Sequence, residues 1–176
     1  MGLLTTDLIE MAAPPLVSPS NFVSITPSKF KILYPILMVL GLLNRLKFDI
    51  EEVGQPLPFK WGKCKLATAS FGHGITTTLL QLVKAYSIIT NGGYKINPTT
   101  IAKIRNLNDK KKILDDGVSK KILPILRKIV TTKEGTASLA NVNGYEIGGK
   151  TGTAQKSISG SYSKKKINTF VSIFPT

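Results

Sequence analysis

The chain has 176 residues, 42% hydrophobic and 19% charged, a balance that excludes a disordered chain and is enough for one globular core. Its formal charge of +14 is unevenly placed: residues 1–59 hold four Lys/Arg against five Asp/Glu, whereas residues 60–176 hold twenty against five. A single cysteine, Cys64, and a single histidine, His73, exclude an internal disulfide and a zinc set, so no metal or cofactor is expected.

Residues 1–30 lack a sustained period and are dense in Pro and Ser, so an irregular, poorly ordered segment is expected there, and residues 1–39 read as one irregular region. The apolar run Ile32 to Leu43 reads as a buried helix or strand. With twelve residues and Pro35 inside, it is shorter than the about twenty needed to span a bilayer. From Gly41 to Leu57 the pattern is a helix end, a turn and a Pro-punctuated extended segment. Thr76 to Ile89 is the clearest predicted helix: Thr77 or Thr78 caps it, Leu79, Leu82, Val83, Tyr86 and Ile89 form its apolar face, and Asn91, Gly92, Gly93 end it. Tyr94 to Pro98 should then run extended.

Ser119 is predicted to open a second helix through about Val130, with Ile122, Leu126, Ile129 and Val130 on its apolar face and Pro124 as a kink or shifted start. Two strands follow, Tyr145 to Thr153 and Ile167 to Phe174, joined as a hairpin across the polar stretch Lys156 to Lys166. Short strands with packed helices imply an α+β, or mixed α/β, fold.

The strongest chemical signal is Gly148, Gly149, Lys150, Thr151, Gly152, Thr153, Ala154, Gln155, Lys156. On an extended segment Lys150 points to one face, Thr151 and Thr153 share the other, and Gly152 lets a ligand approach the main chain. A cation, hydroxyls and bare backbone on one strand suit a carboxylate.

Three blocks resemble the transpeptidase domain of class B penicillin-binding proteins, particularly the septal peptidoglycan transpeptidase of bacterial cell division. They are ASFGHGITTTLLQLVKAYSIITNGG at Ala69 to Gly93, VTTKEGTA at Val130 to Ala137, and GGKTGTAQK at Gly148 to Lys156. With Leu40 to Leu66 they cover about residues 40–176, and the fold implied is a partial penicillin-binding transpeptidase fold on an incomplete antiparallel sheet. The resemblance implies acyl transfer through a serine that attacks a D-alanyl-D-alanine stem peptide, with a lysine accepting its proton and the motifs S-x-x-K, S-x-N and K-T-G. On matching positions Lys150 would supply charge near the substrate carboxylate, Thr151 and Thr153 would hydrogen-bond it, and the N–H of Thr153 would form half of an oxyanion hole. Peptidoglycan stem peptides and β-lactams are the partners so implied.

The other motifs fare differently. S-x-x-K occurs at Ser28 with Lys31, Ser161 with Lys164, and Ser163 with Lys166. The last two follow K-T-G, against the family's order, and Ser28 has too little chain after it, so Ser28 and Lys31 are weak candidates for the catalytic pair. No S-x-N triplet occurs; the nearest approach, Pro19, Ser20, Asn21, has proline where a hydroxyl is needed. Residues 40–176 therefore read as the C-terminal part of a transpeptidase domain, truncated at both ends, and the chain as an inactive remnant. The family is anchored in the inner membrane with a periplasmic domain. With neither signal nor anchor in this sequence, a cytoplasmic location is expected for the chain alone.

Two alternatives stand beside that reading. The chain could be the C-terminal half of a split transpeptidase that binds a separately encoded N-terminal half. It could instead bind nucleic acid or an anionic surface through its basic segment, although the short runs Lys110 to Lys112 and Lys164 to Lys166 lack interleaved aromatics, and no nucleic acid is expected.

Overall fold

The computed structural model describes residues 9–10, 27–49, 54–59, 69, 72, 74–102, 111–158 and 161–176. Ser20, Asn21, Cys64 and His73 lie outside them. The chain divides into two compact units, Met1–Leu82 with Thr153–Ile167, and Val83–Gly152 with Asn168–Thr176. Helices with small antiparallel sheets make an α+β fold.

In the first unit, helix α1 spans Pro27–Val39. The segment expected to be irregular through residue 39 is thus helical over its last third. Proline at the first helical position has its missing N–H where no intrahelical partner would be found anyway, which suits Pro27. Leu37 packs with Ala69 and Ile75, flanked by Leu33, Leu42, Leu43 and Phe59. The opposite positions Ile32, Ile36 and Val39 remain exposed, Ile32 at 63%. The run expected to be buried is therefore buried on one side only. Residues 9–10, also expected to be irregular, form strand β1 (Ile9–Glu10), antiparallel to β2 (Thr76–Thr77) with Ile9 opposite Thr77.

Helix α2, Leu79–Thr90, starts on a reciprocal cap. The N–H of Gln81 donates to Thr78 Oγ1 at 3.2 Å, and the N–H of Thr78 donates to Gln81 Oε1 at 2.8 Å. This capping box satisfies two backbone donors that a helix start leaves unpaired. The other end of the Gln81 amide donates to the carbonyls of Gly41 and Asn44, at 3.1 and 2.7 Å. Gln81 is consequently fully buried, and with Ala85 and Ile88 it forms the buried stripe of α2. Leu79 and Val83, placed on the apolar face by their spacing, are 62% and 56% exposed. A polar residue with all its valences met displaced them from the interior.

In the second unit, α2 stops at Gly92 and Gly93, both at φ 86°. The N–H of Gly93 returns to the Ile88 carbonyl at 3.0 Å, and the Gly93 carbonyl accepts from Ile113 and Leu114. Tyr94 pairs with Lys112 in an isolated bridge, and Lys112 in turn pairs with Asp116. Helix α3 spans Asp116–Thr131, capped by Asp115, whose carboxylate accepts from the Gly117 N–H at 2.8 Å. Ser119, predicted to open this helix, lies inside it and is buried, with its hydroxyl donating to the Ile89 carbonyl. Leu126 and Val130 are buried as their spacing requires, and Pro124 is accommodated on an exposed position.

A short 3-10 turn, Ser138–Ala140, leads towards β3 (Gly148–Ile158), which pairs with β4 (Ser161–Ile173) in a two-stranded sheet. Both strands extend well into the polar stretch expected to be a connecting loop, while residues 145–147 precede the strand. A two-stranded ribbon has solvent within reach of both faces, so its lysines need no apolar alternation. Among the described residues no helix is long and apolar enough to cross a membrane.

Candidate ligand-binding strand

Two glycines bring β3 to its place. A Cβ on Gly148 would meet the Thr176 side chain and the backbone of Leu126 and Arg127 in α3. One on Gly149 would lie 2.6 Å from the Phe170 ring and 2.7 Å from the Val171 carbonyl. Neither position admits a side chain without displacing a neighbour, so the strand lies closer to α3 and β4 than any other residue would permit. Arg127 strengthens the attachment: its Nη1 donates to the Ile147 carbonyl at 2.7 Å, one residue before the strand.

Lys150 leaves this base exposed to solvent. Its Nζ donates to the Thr151 carbonyl at 2.7 Å, which leaves two of the ammonium's three protons for a ligand. Among the described residues Lys150 has no ion-pair partner. Thr151 is half-buried, and its Oγ1 lies 2.7 Å from Oγ1 of Thr136. Thr153, two positions on along the same strand, is exposed and by strand alternation shares the Thr151 face. Gly152 has a packing reason of its own. A Cβ there would lie 2.6 Å from Thr169 Oγ1 on β4, so the space freed by its missing side chain is taken by Thr169.

The strand therefore presents a cation, two hydroxyls and main-chain N–H groups. β3 pairs with β4 along one edge, and no second strand borders its other edge among the described residues. An extended ligand ending in a carboxylate would find there a hydrogen-bonding edge, hydroxyl donors and positive charge.

The remaining serine–lysine spacings differ in what the backbone allows. Positions 28 and 31 both fall in the first turns of α1 and, one helical turn apart, share a face. Ser161 with Lys164 and Ser163 with Lys166 lie on β4, where residues three apart project to opposite faces. The Ser163 hydroxyl moreover accepts from the Lys165 N–H at 3.2 Å. The Lys166 ammonium therefore cannot reach Ser163. Sequence reasoning missed Arg127 and Thr136 altogether. The block containing Thr136 was visible, but nothing local assigned that residue a partner fifteen positions away.

Residues 38–176 match the model of the penicillin binding protein transpeptidase domain. The chain is 33% identical over 144 residues to the probable peptidoglycan D,D-transpeptidase FtsI of Caulobacter vibrioides, a match covering 78% of this chain and 24% of that protein. It is 34% identical over 117 residues to the probable peptidoglycan D,D-transpeptidase PenA of Neisseria flavescens, covering 66% of this chain and 29% of that one. Among solved structures, the transpeptidase domain of Burkholderia pseudomallei penicillin-binding protein 3 superposes with a TM-score of 0.72 at 25% identity, over 84% of this chain and 48% of that one. The ampicillin complex of Mycobacterium tuberculosis penicillin-binding protein 3 gives 0.73 at 26%, over 85% and 37%. The chain thus spans less than a third of the length of these two curated relatives.

Proposed function

The chain belongs to the penicillin-binding protein transpeptidase-domain family, and from that membership we propose that residues 40–176 form the C-terminal part of a D,D-transpeptidase domain of bacterial peptidoglycan synthesis and division. Its task there is to hold the substrate. Lys150, Thr151, Gly152 and Thr153 grip the terminal carboxylate of a D-alanyl-D-alanine stem peptide, or the corresponding carboxylate of a β-lactam, and the Thr153 N–H faces the developing oxyanion. The observation carrying this reading is the content of β3: Lys150, exposed and without an ion pair among the described residues, is followed directly in the strand by Thr151 with its hydroxyl. The M. tuberculosis neighbour crystallised with ampicillin and with aztreonam supports the ligand class.

These 176 residues do not, on this reading, carry out acyl transfer by themselves. They contain no S-x-N triplet, and two of their three S-x-x-K spacings fall on a strand that separates the pair. A labelled β-lactam tests both halves. The expected result is reversible binding, weakened at least tenfold in Lys150→Gln, with no covalent adduct after denaturation. A stoichiometric adduct abolished by Ser28→Ala would overturn the claim of inactivity, and absence of any Lys150-dependent binding would overturn the substrate-holding role.

One observation favours a second reading. Ile32, Ile36 and Val39, at helical spacing on α1, form an exposed apolar stripe of the kind that a partner covers. A separately encoded N-terminal half of a transpeptidase, bringing the nucleophile, would be that partner. Co-expression with such a half should restore covalent β-lactam labelling, and failure of the two to co-purify would dispose of the idea.

A further inference from the structure

The Thr136 and Thr151 hydroxyl oxygens lie 2.7 Å apart, the length of an O–H···O hydrogen bond. Each hydroxyl owns one proton and two lone pairs, so in the free pair either oxygen can donate. An ionised carboxylate removes that choice, because it can only accept. To bind one, Thr151 must aim its single proton at the ligand, and the bond to Thr136 then persists only with Thr136 as donor. We propose that Thr136 is a positioning residue for the carboxylate-binding strand: it donates to Thr151 Oγ1 and so turns the Thr151 proton outward, towards the ligand. This rests on the reading of Lys150 to Thr153 as a carboxylate grip.

The turn that carries Thr136 is built to hold it still. The Ala137 N–H returns to the Ile129 carbonyl at 3.3 Å, the Gly135 N–H donates to the Thr132 carbonyl at 3.0 Å, and Ala137 is buried. A Cβ on Gly135 would collide with the Ile129 carbonyl, so the chain can fold back this tightly only at a glycine. Thr151 is held as well, since its own carbonyl accepts from Lys150 Nζ. A proton received from Thr136 also polarises the Thr151 hydroxyl and makes it a better donor, as in any chain of hydrogen bonds.

The test compares a peptide ending in D-alanyl-D-alanine with the same peptide as its C-terminal amide, titrated calorimetrically into the full chain. The wild type should prefer the carboxylate, Thr151→Val should lose that preference, Thr136→Val should lower it about fivefold, and Thr136→Ser should restore it. Thr136 is exposed, so its replacement should leave the melting midpoint unchanged, and Thr136→Ala repeats the measurement without the second valine methyl. If the wild type shows no carboxylate preference, the strand reading itself fails. If Thr151→Val abolishes the preference while Thr136→Val and Thr136→Ala leave it intact, the strand reading stands and the positioning role is wrong. Equal losses in Thr136→Ser and Thr136→Val would also overturn it, because the hydroxyl would not be the cause.

Discussion

Gln81 Nε2 lies 2.7 Å from the main-chain carbonyl oxygen of Asn44, thirty-seven residues earlier, and no solvent reaches the amide. One side chain thereby caps α2 and ties down the chain after α1.

Replacing Gln81 by Leu removes the donors that Gly41 and Asn44 face and the acceptor that Thr78 faces, at a cost of about 2–3 kcal/mol in urea unfolding. Gln81→Glu should be worse at neutral pH. It keeps the acceptor for Thr78 but sets a carboxylate oxygen against two carbonyls. A glutamate variant as stable as wild type would show that the amide's donors contribute nothing.

Gly92 and Gly93 share a left-handed backbone but not the same surroundings. A Cβ on Gly92 meets the Tyr94 ring at 3.7 Å, an ordinary contact, whereas one on Gly93 runs into the Leu114 carbonyl. Gly92→Ala should cost about 1 kcal/mol for its φ alone, and Gly93→Ala about 3 kcal/mol. Equal unfolding midpoints for the two variants would contradict the packing at Leu114.

On the hairpin, Gly152→Ala should destabilise by about 1–2 kcal/mol through Thr169 Oγ1, while Thr169 Cβ stands clear at 4.0 Å. Thr169→Ala should therefore rescue Gly152→Ala, giving a coupling of about 1 kcal/mol in a double-mutant cycle. Additive effects would mean that the two side chains do not compete for one space.

The pair Lys112 and Asp116 sets an acid limb. The hydrogen bond from Lys112, followed by its charge, holds the Asp116 carboxyl below the ordinary carboxylate value. A carboxyl with a depressed folded pKa contributes stability that is fully present above its unfolded value of about 3.9 and is lost as pH falls through the folded pKa. Wild type should thus exceed Asp116→Asn in melting midpoint at pH 6, and the gap should close at the acid end. Both side chains are exposed, so added salt should shrink the gap at pH 6 as well.

The sequence showed α2 well because its signals are local: a threonine cap and an Asn-Gly-Gly stop act within one turn. The buried stripe was misassigned because counting apolar residues ignores hydrogen bonding. Gln81 is buried because four partners, Thr77, Thr78, Gly41 and Asn44, await its amide, and those partners lie up to forty residues away. Asp115 and Ser119 are equally good caps by residue type. Only the Ile89 carbonyl, thirty residues from Ser119, draws that serine inward and leaves the cap to Asp115. The same limit applies at the candidate site. Lys150, Thr151 and Thr153 are contiguous and legible, whereas the Thr136 contact exists only once the turn at Gly135 has folded. Thr169, which fills the space beside Gly152, comes from the second strand of the hairpin and has no signature in the first.

The edge of β3 that no described strand borders has a colloidal consequence. An edge that can receive an extended peptide can equally receive the edge of another copy, and such self-templating is how sheet proteins precipitate. Lys150 and Lys156 both stand exposed along this strand, so two copies approaching edge to edge must first bring like charges together. The lysine proposed to attract a substrate carboxylate is thus also a guard against the chain's own neighbours, and neutralising it would surrender solubility along with affinity.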